Sequence, residues 1–350
     1  MKKLVKLALG TIGAATAALA IREVIQREKD KQLLENGREY WKIALPRDDV
    51  RWIEEHITTY HIPSGDVGVH VDLFAQNATN APAVIVVHGL SSYGKLMIPA
   101  IRRWFDRGYT VLAMDLPGNG LSGGFRGDFP VPQAVQSIIH TASWARNRFD
   151  GPIYLMGLSL GGGLAYSAAA GGAPVSAVSC LDLFLFNDKD SLKKLLPNPE
   201  LINALPVARV ASLLFGWVRI PSRWFFTIEK VVSEEERPLV EPWLSDPLAA
   251  KELSLRTLVS AVCTEPARPL RENTVPIIVF NQTNDRVLDP SVTSRNFDLL
   301  NGDKRYIELQ GSEHWSFKPD MWDTIIRESD EWFQAHRTRA SKIGSGAAKS

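Results

Sequence analysis

Cysteine is nearly absent: 350 residues hold two, Cys180 and Cys263. They form neither a metal-binding spacing nor a disulfide framework. Cys180 sits in an apolar run and reads as a small buried hydrophobe. No Cys-x-x-Cys, His-Glu-x-x-His or phosphate-cradling Gly-Lys-Ser/Thr loop occurs, so the sequence calls for no metal, nucleotide or other cofactor. An excess of one charge is missing too. Forty Lys and Arg stand against 39 Asp and Glu, for a net charge of +1. That excludes the basic stripe of a nucleic-acid binder, and no nucleic-acid partner is expected. An uncharged run over residues 7–21 stands directly behind Lys2, Lys3 and Lys6. Residues 1–20, closing on Ala18-Leu19-Ala20, fit a secretory signal. The run also fits an uncleaved anchor, although it is short for a membrane span, or the start of a cytoplasmic helix continuing through Arg22 to Glu35. The expected location is membrane-associated or exported, with cytoplasmic as the alternative.

What is present is material for a large core, with 45% hydrophobic and 23% charged residues, the balance of a globular protein. A helical connector is expected over 21–50. Residues 57–62 and 67–74 flank Pro63-Ser64-Gly65-Asp66 and read as a hairpin. Continuous apolar runs follow at 83–87, 110–114, 153–156, 175–181, 276–280 and 306–309. Runs without alternation are strands buried on both faces, and helical segments separate most of them. The expected fold is α/β: an eight-stranded, mostly parallel, doubly wound sheet. Residues 184–273 carry no such strand and are too many for a loop. They read as an inserted helical cap between core segments 51–183 and 274–336. Residues 337–350 read as a disordered tail.

Gly157-Leu158-Ser159-Leu160-Gly161 closes the fifth strand and opens a helix. A serine on so sharp a turn is lifted above the sheet, with glycines where side chains would crowd it. A serine hydroxyl needs a base, and the base an orienting carboxylate. Loops at the carboxyl ends of the last two strands supply Asp285 and His314, where open α/β sheets gather ligands. His56, His61, His70, His140 and His336 read as structural or solvent-facing. His88 follows the third strand and reads as a brace for the loop after it. Asp289 precedes Pro290 and reads as a helix N-cap. The oxyanion donors are expected to be the backbone N–H groups of Leu90 and Leu160.

These motifs, with Val86-Val87-His88-Gly89, Asp115-Leu116-Pro117-Gly118-Asn119-Gly120-Leu121-Ser122, Asn284-Asp285-Arg286-Val287 and Gly311-Ser312-Glu313-His314, resemble the α/β-hydrolase superfamily. Within it the chain is similar to the monoacylglycerol lipase and lysophospholipase branch, over about residues 57–335. The resemblance implies Ser159 as nucleophile, His314 as general base and then acid, and Asp285 as orienter. It also implies a cap between the sixth and seventh strands. Asn119 departs from the histidine common at its slot, and the loop Leu90-Ser91-Ser92 lacks the glycine run of the hormone-sensitive-lipase-like branch. The cap is rich in Leu213, Leu214, Phe215, Trp217, Trp224, Phe225, Phe226 and Trp243. These would line an acyl site or form the cap's own core. Gly89, Trp217, Trp224 and Phe225 are the expected substrate contacts. The expected activity is hydrolysis of a lipophilic carboxylic ester, such as a monoacylglycerol or lysophospholipid. A thioesterase, amidase or acyltransferase on the same residues is the alternative, followed by a non-catalytic binding protein of the same fold.

Overall fold

A computed structural model describes residues 2–195, 198–224 and 227–337. Its strands are β1 (Ile57–Ser64), β2 (Val67–Phe74), β3 (Ala83–Val87), β4 (Thr110–Met114), β5 (Ile153–Leu158), β6 (Ala177–Leu181), β7 (Arg219–Pro221), β8 (Glu252–Ser254), β9 (Ile277–Gln282) and β10 (Lys304–Leu309). Eight form one sheet in the order β1-β2-β4-β3-β5-β6-β9-β10, while β7 and β8 form a separate ribbon. β2 runs antiparallel to β1 and β4, and every other pair in the large sheet is parallel. The apolar runs were continuous because β3, β4, β5, β6 and β9 are buried at every position.

Alternate residues of these strands feed two cores. Ile85 and Val87 join one with Ala134, Ile138 and Leu164 of the helices Val131–Arg146 and Leu160–Ala170. Val84 and Val86 join the other with Trp104 and Ile325 of the helices Ile98–Asp106 and Pro319–Ala335. The chain leaves β3 toward β4 and leaves β5 toward β6, on opposite sides. The carboxyl ends of β3 and β5 therefore flank the crevice where such a sheet reverses its winding.

Between β6 and β9 the chain departs into the helices Lys189–Leu195, Leu205–Phe215, Ile228–Val231, Arg237–Ser245 and Leu255–Cys263, with the β7–β8 ribbon among them. This is the expected insertion, with a ribbon that the apolar pattern does not reveal because each strand has three residues. Buried polar contacts tie it to the core: the Tyr93 hydroxyl donates to Asp246 (2.5 Å) and the Phe317 N–H to Glu236 (2.6 Å). The helix Leu205–Phe215 has no buried residue and exposes Val207, Val210, Leu213 and Leu214.

One helix, Lys2–Asn36, crosses position 20 without a break. No helix among the described residues is long and apolar enough to cross a membrane. Glu23 and Asp30 lie two turns apart on one helical face and are buried against the cap. Arg219 of β7 donates to Glu23 (3.0 Å) and Asp30 (2.8 Å), and the Arg27 guanidinium lies 3.8 Å from the Phe125 ring centroid. Removing one member of a buried ion network leaves the rest uncompensated. Arg219→Met is therefore expected to cost about 3–5 kcal/mol. It should also expose residues 17–36 to protease. Urea unfolding with limited proteolysis measures both, and an unchanged midpoint would mean that water already reaches the two carboxylates.

Candidate active site

β5 passes into the helix Leu160–Ala170 through the single residue Ser159, at φ 55° and ψ −122°. Such a conformation is costly for an L-residue and persists only where its surroundings enforce it. Here Ser159 N–H donates to Leu181 O of β6 (2.8 Å), and Gly162 N–H donates to Ser159 O (2.8 Å). The flanking glycines have steric causes. A Cβ on Gly157 would sit 2.1 Å from Gly161 O, and one on Gly161 would sit 2.3 Å from Val87 O. The helix starts tightly against β3 and β5, with its N–H groups toward the serine.

Asp285 and His314 reach the serine from neighbouring loops at the carboxyl ends of β9 and β10. The two loops are bonded to each other: Asn284 N–H to Ser312 O (3.0 Å), Gln282 Nε2 to His314 O (3.0 Å) and Gly311 N–H to Thr283 Oγ1 (2.8 Å). Asp285 Oδ1 accepts the N–H groups of Val287 (2.7 Å) and Leu288 (2.9 Å), which turns Oδ2 toward the imidazole. His314 Nδ1–H donates to Asp285 Oδ2 at 2.7 Å, leaving Nε2 to accept from Ser159 Oγ at 2.8 Å. Burial alone would lower the His314 pKa. The charge and hydrogen bond of Asp285, with a smaller contribution from Asp182, outweigh that and raise it to about 9.

His88 is buried, its Nδ1–H donating to Gly89 O (2.7 Å) and its Nε2 accepting from Leu116 N–H (3.0 Å). Desolvation lowers its pKa, so it is neutral and braces the loop after β3. Leu90 N–H makes no backbone hydrogen bond among the described residues. Leu160 N–H, first in its helix, has no partner within that helix. Both residues line the cavity over Ser159. Asp289 caps the helix Pro290–Leu299 by accepting from Ser291 N–H (2.9 Å) and pairs with Lys194 (2.9 Å). Asn119 bonds Pro117 O (2.9 Å) within its own loop, and Glu313 accepts from Asn284 (3.0 Å).

One acid escaped the sequence reading. Asp182 follows β6 directly, and one carboxylate oxygen lies 3.6 Å from His314 Nδ1. The signal was an acid terminating an apolar strand run at the same sheet edge as Ser159, Asp285 and His314. Ligand atoms of Asp182, Asp285 and His314 fall within 4.8 Å of one another, the one such group among the described residues. Nδ1 is committed to Asp285 and Nε2 to Ser159, so the imidazole offers a cation no free lone pair.

Above these residues opens a cavity of about 950 Å³, at the upper end of the range for small-molecule sites. Gly89, Ser159 and His314 stand at its base. Phe129, Phe184 and Phe186 line its core side, with Ile202, Leu205, Trp243, Leu244, Leu258 and Val262 from the cap. The expected cap contacts need correction. Trp217 faces the N-terminal helix, in a small recess with Leu19, Arg22 and Glu23, and its Nε1–H donates to Leu214 O (3.2 Å). Trp224 is 60% exposed on the outer surface, and Leu213 and Leu214 also face outward. Phe225 and Phe226 lie outside the described residues. Which cap residues turn inward depends on how its helices seat on the core, a matter composition does not encode.

A family model described as serine aminopeptidase, S33, matches residues 78–318. No curated protein matches the chain. Among solved structures, a monoacylglycerol lipase from Paleococcus ferrophilus is 21% identical, with a TM-score of 0.62 over 80% of this chain and 98% of that one. A soluble variant of monoglyceride lipase from Saccharomyces cerevisiae, in complex with a substrate analog, is 17% identical, with a TM-score of 0.63 over 81% and 96%. A thermostable carboxyl esterase from Bacillus coagulans, in complex with glycerol, is 16% identical, with a TM-score of 0.61 over 80% and 98%. They share the α/β-hydrolase fold with this chain.

His314 should titrate well above an ordinary imidazole, near pH 9 by the balance described above. In Asp285→Asn the largest contribution raising it is gone, and the midpoint should fall. Nitrogen-15 NMR of the imidazole in both proteins reads this directly. An unshifted midpoint in the variant would mean that Asp285 does not hold the charge.

Proposed function

The chain belongs to the serine aminopeptidase, S33, family of α/β-hydrolases, and we propose that this ester hydrolase acts on lipophilic carboxylic esters through an acyl-enzyme on Ser159. The observation that carries the reading is the continuous path of short hydrogen bonds from Asp285 through His314 to Ser159, at the floor of an apolar cavity. In this reading Ser159 Oγ attacks the ester carbonyl as its proton passes to Nε2 of the neutral His314 imidazole, the form that grows as pH rises through the raised pKa of this group. Asp285 stabilises the imidazolium that forms. The N–H groups of Leu90 and Leu160 receive the negative charge on the carbonyl oxygen, each worth about 3 kcal/mol to the transition state. His314 then protonates the leaving alcohol, and water, deprotonated by His314 in turn, releases the acid.

Chain length is the substrate feature the cavity addresses. An acyl chain gains about 0.8 kcal/mol per buried methylene, and Leu205, Leu258 and Val262 offer the surface to collect it. The monoacylglycerol lipases among the similar folds agree with such a substrate. An aminopeptidase reading, which the family description raises, needs a free carboxylate to hold the substrate's ammonium group. Of the two glutamates lining the cavity, Glu252 is paired with Arg22 at 2.6 Å, which leaves Glu229 as the carboxylate that such a substrate would have to use.

Membrane association or export through the N-terminal segment belongs to the same proposal. Lys2, Lys3 and Lys6 precede the uncharged run, Ile21 is exposed at its end, and Val24 and Ile25 are exposed beyond it. Cleavage after Ala20 would leave Glu23 and Asp30 seated on Arg219. Intact mass of the protein from its native host decides between cleavage and retention.

Hydrolysis of p-nitrophenyl esters from about two to sixteen carbons tests the substrate class. The expected maximum is at eight carbons or longer, where methylene burial accumulates. Ser159→Ala should lower kcat by about 10⁴–10⁶-fold with an unchanged melting temperature. A maximum at two to four carbons would make this a short-chain esterase. Turnover only of aminoacyl anilides would move it to the peptidases.

A further inference from the structure

Asp182 is a buried carboxyl that the reaction proposed above does not use. It is 1% exposed, and neither of its oxygens has a hydrogen-bond partner among the described residues. Its backbone is held in the left-handed region at φ 70°, with its N–H donating to Phe280 O of β9 (3.0 Å). A Cβ on Gly162 would come within 2.2 Å of Asp182 O, so the strand end and the nucleophile's helix leave this backbone no room to relax. The side chain is thereby aimed at His314 Nδ1 from 3.6 Å, beside the 2.7 Å bond that Asp285 makes to the same nitrogen. A carboxyl with a purely structural task accepts backbone N–H groups, as Asp285 Oδ1 does. Asp182 accepts none, and a leucine here would avoid the cost of burying it.

We propose that Asp182 is a second carboxyl for His314, a positioning residue that takes over the Nδ1–H when Asp285 is neutralised. The proposal rests on the reading of Ser159 as nucleophile and His314 as base. Three titratable groups face it: Cys180 from β6, Asp285 from the loop after β9 and His314 from the loop after β10. Two carboxylates at one site cannot both ionise freely. Asp285 Oδ1 accepts two backbone N–H groups, whereas Asp182 accepts none among the described residues. Burial first, and then the Asp285 charge, push the Asp182 pKa up against the pull of His314, so Asp182 carries the proton at neutral pH. Without the Asp285 charge the repulsion vanishes. Asp182 then releases its proton to solvent and accepts the Nδ1–H, and the imidazolium formed when Ser159 Oγ–H transfers to Nε2 is paired with Asp182. The 3.6 Å gap closes with a shift of about 0.7 Å to reach hydrogen-bond distance, within the play of one side-chain torsion.

The test is the rate at which Ser159 of the full chain is phosphonylated by a fluorophosphonate probe across pH, which needs no knowledge of the natural substrate. Asp285→Asn should retain labelling at about one hundredth of the wild-type rate. The double variant Asp285→Asn/Asp182→Asn should fall at least ten-fold below Asp285→Asn alone. The Asp285→Asn rate should climb with pH as Asp182 ionises, and that limb should be missing from the double variant. Asp182→Asn alone should move the acid limb of the wild-type profile to lower pH, because Asp182 contributes to raising the His314 pKa. Equal rates in Asp285→Asn and the folded double variant at every pH would overturn the proposal. Should the double variant not fold, Asp285→Asn decides by itself. Its His314 Nδ1 proton resonance must shift along the same pH limb as the rate, and a shift following the imidazole's own titration alone overturns it. Wild-type protein that does not label at Ser159 removes the nucleophile reading itself, a result distinct from the other two.

Discussion

At Ser159 the chain turns from strand to helix within one residue, and much of the molecule serves that turn. A positive φ on a residue with a side chain has to be held from outside. The holding comes from Leu181 O on β6 and from Gly162 N–H in the helix, while Gly157 and Gly161 let two backbones approach to distances that a Cβ forbids. The helix behind the serine is buried along nearly its whole length. This fits its Ala and Gly composition, since larger side chains have no room between the sheet and the helix Val131–Arg146. The position of the hydroxyl is thus set by packing in the middle of the molecule, and the loops of Asp285 and His314 only have to meet it.

Those loops meet it because they are bonded to each other before they are bonded to the serine. The β9 and β10 loops share the contacts Asn284 to Ser312, Thr283 to Gly311 and Gln282 to His314. Beyond His314 the chain is taken up by the cap, with Trp315 N–H donating to Val231 O (2.9 Å) and Phe317 N–H to Glu236. His314 is therefore coupled mechanically to the cap as well as electrically to Asp285. Cap residues that touch no substrate can still reach the chemistry through this connection.

Local patterns spoke clearly wherever a single segment sets the structure. The buried strands announced themselves by continuous apolar runs, the elbow by its glycines, and Asp285 and His314 by following the last two such runs. The His88 brace and the Asp289 cap were legible for the same reason. What stayed hidden depended on segments far apart in the chain. Trp217 and Trp224 looked like substrate contacts by composition, yet the seating of the cap turns one toward the N-terminal helix and the other to solvent. Asp182 gained its meaning from His314, far along the chain, and from the absence of any nearer donor. Nothing in the sequence singles out Glu23 and Asp30, whose role comes from Arg219, almost two hundred positions away.

That last arrangement bears on how the protein can be produced. The guanidinium of Arg219 is 5% exposed on its side chain, and its two counter-charges both lie on the helix Lys2–Asn36. A recombinant chain begun at Ile21 keeps both carboxylates. One begun at Lys31, at what looks from the hydrolase core alone like a harmless linker, would strand a cation inside the cap. The practical N-terminal boundary of the folded unit lies upstream of Glu23, well ahead of the first strand of the sheet.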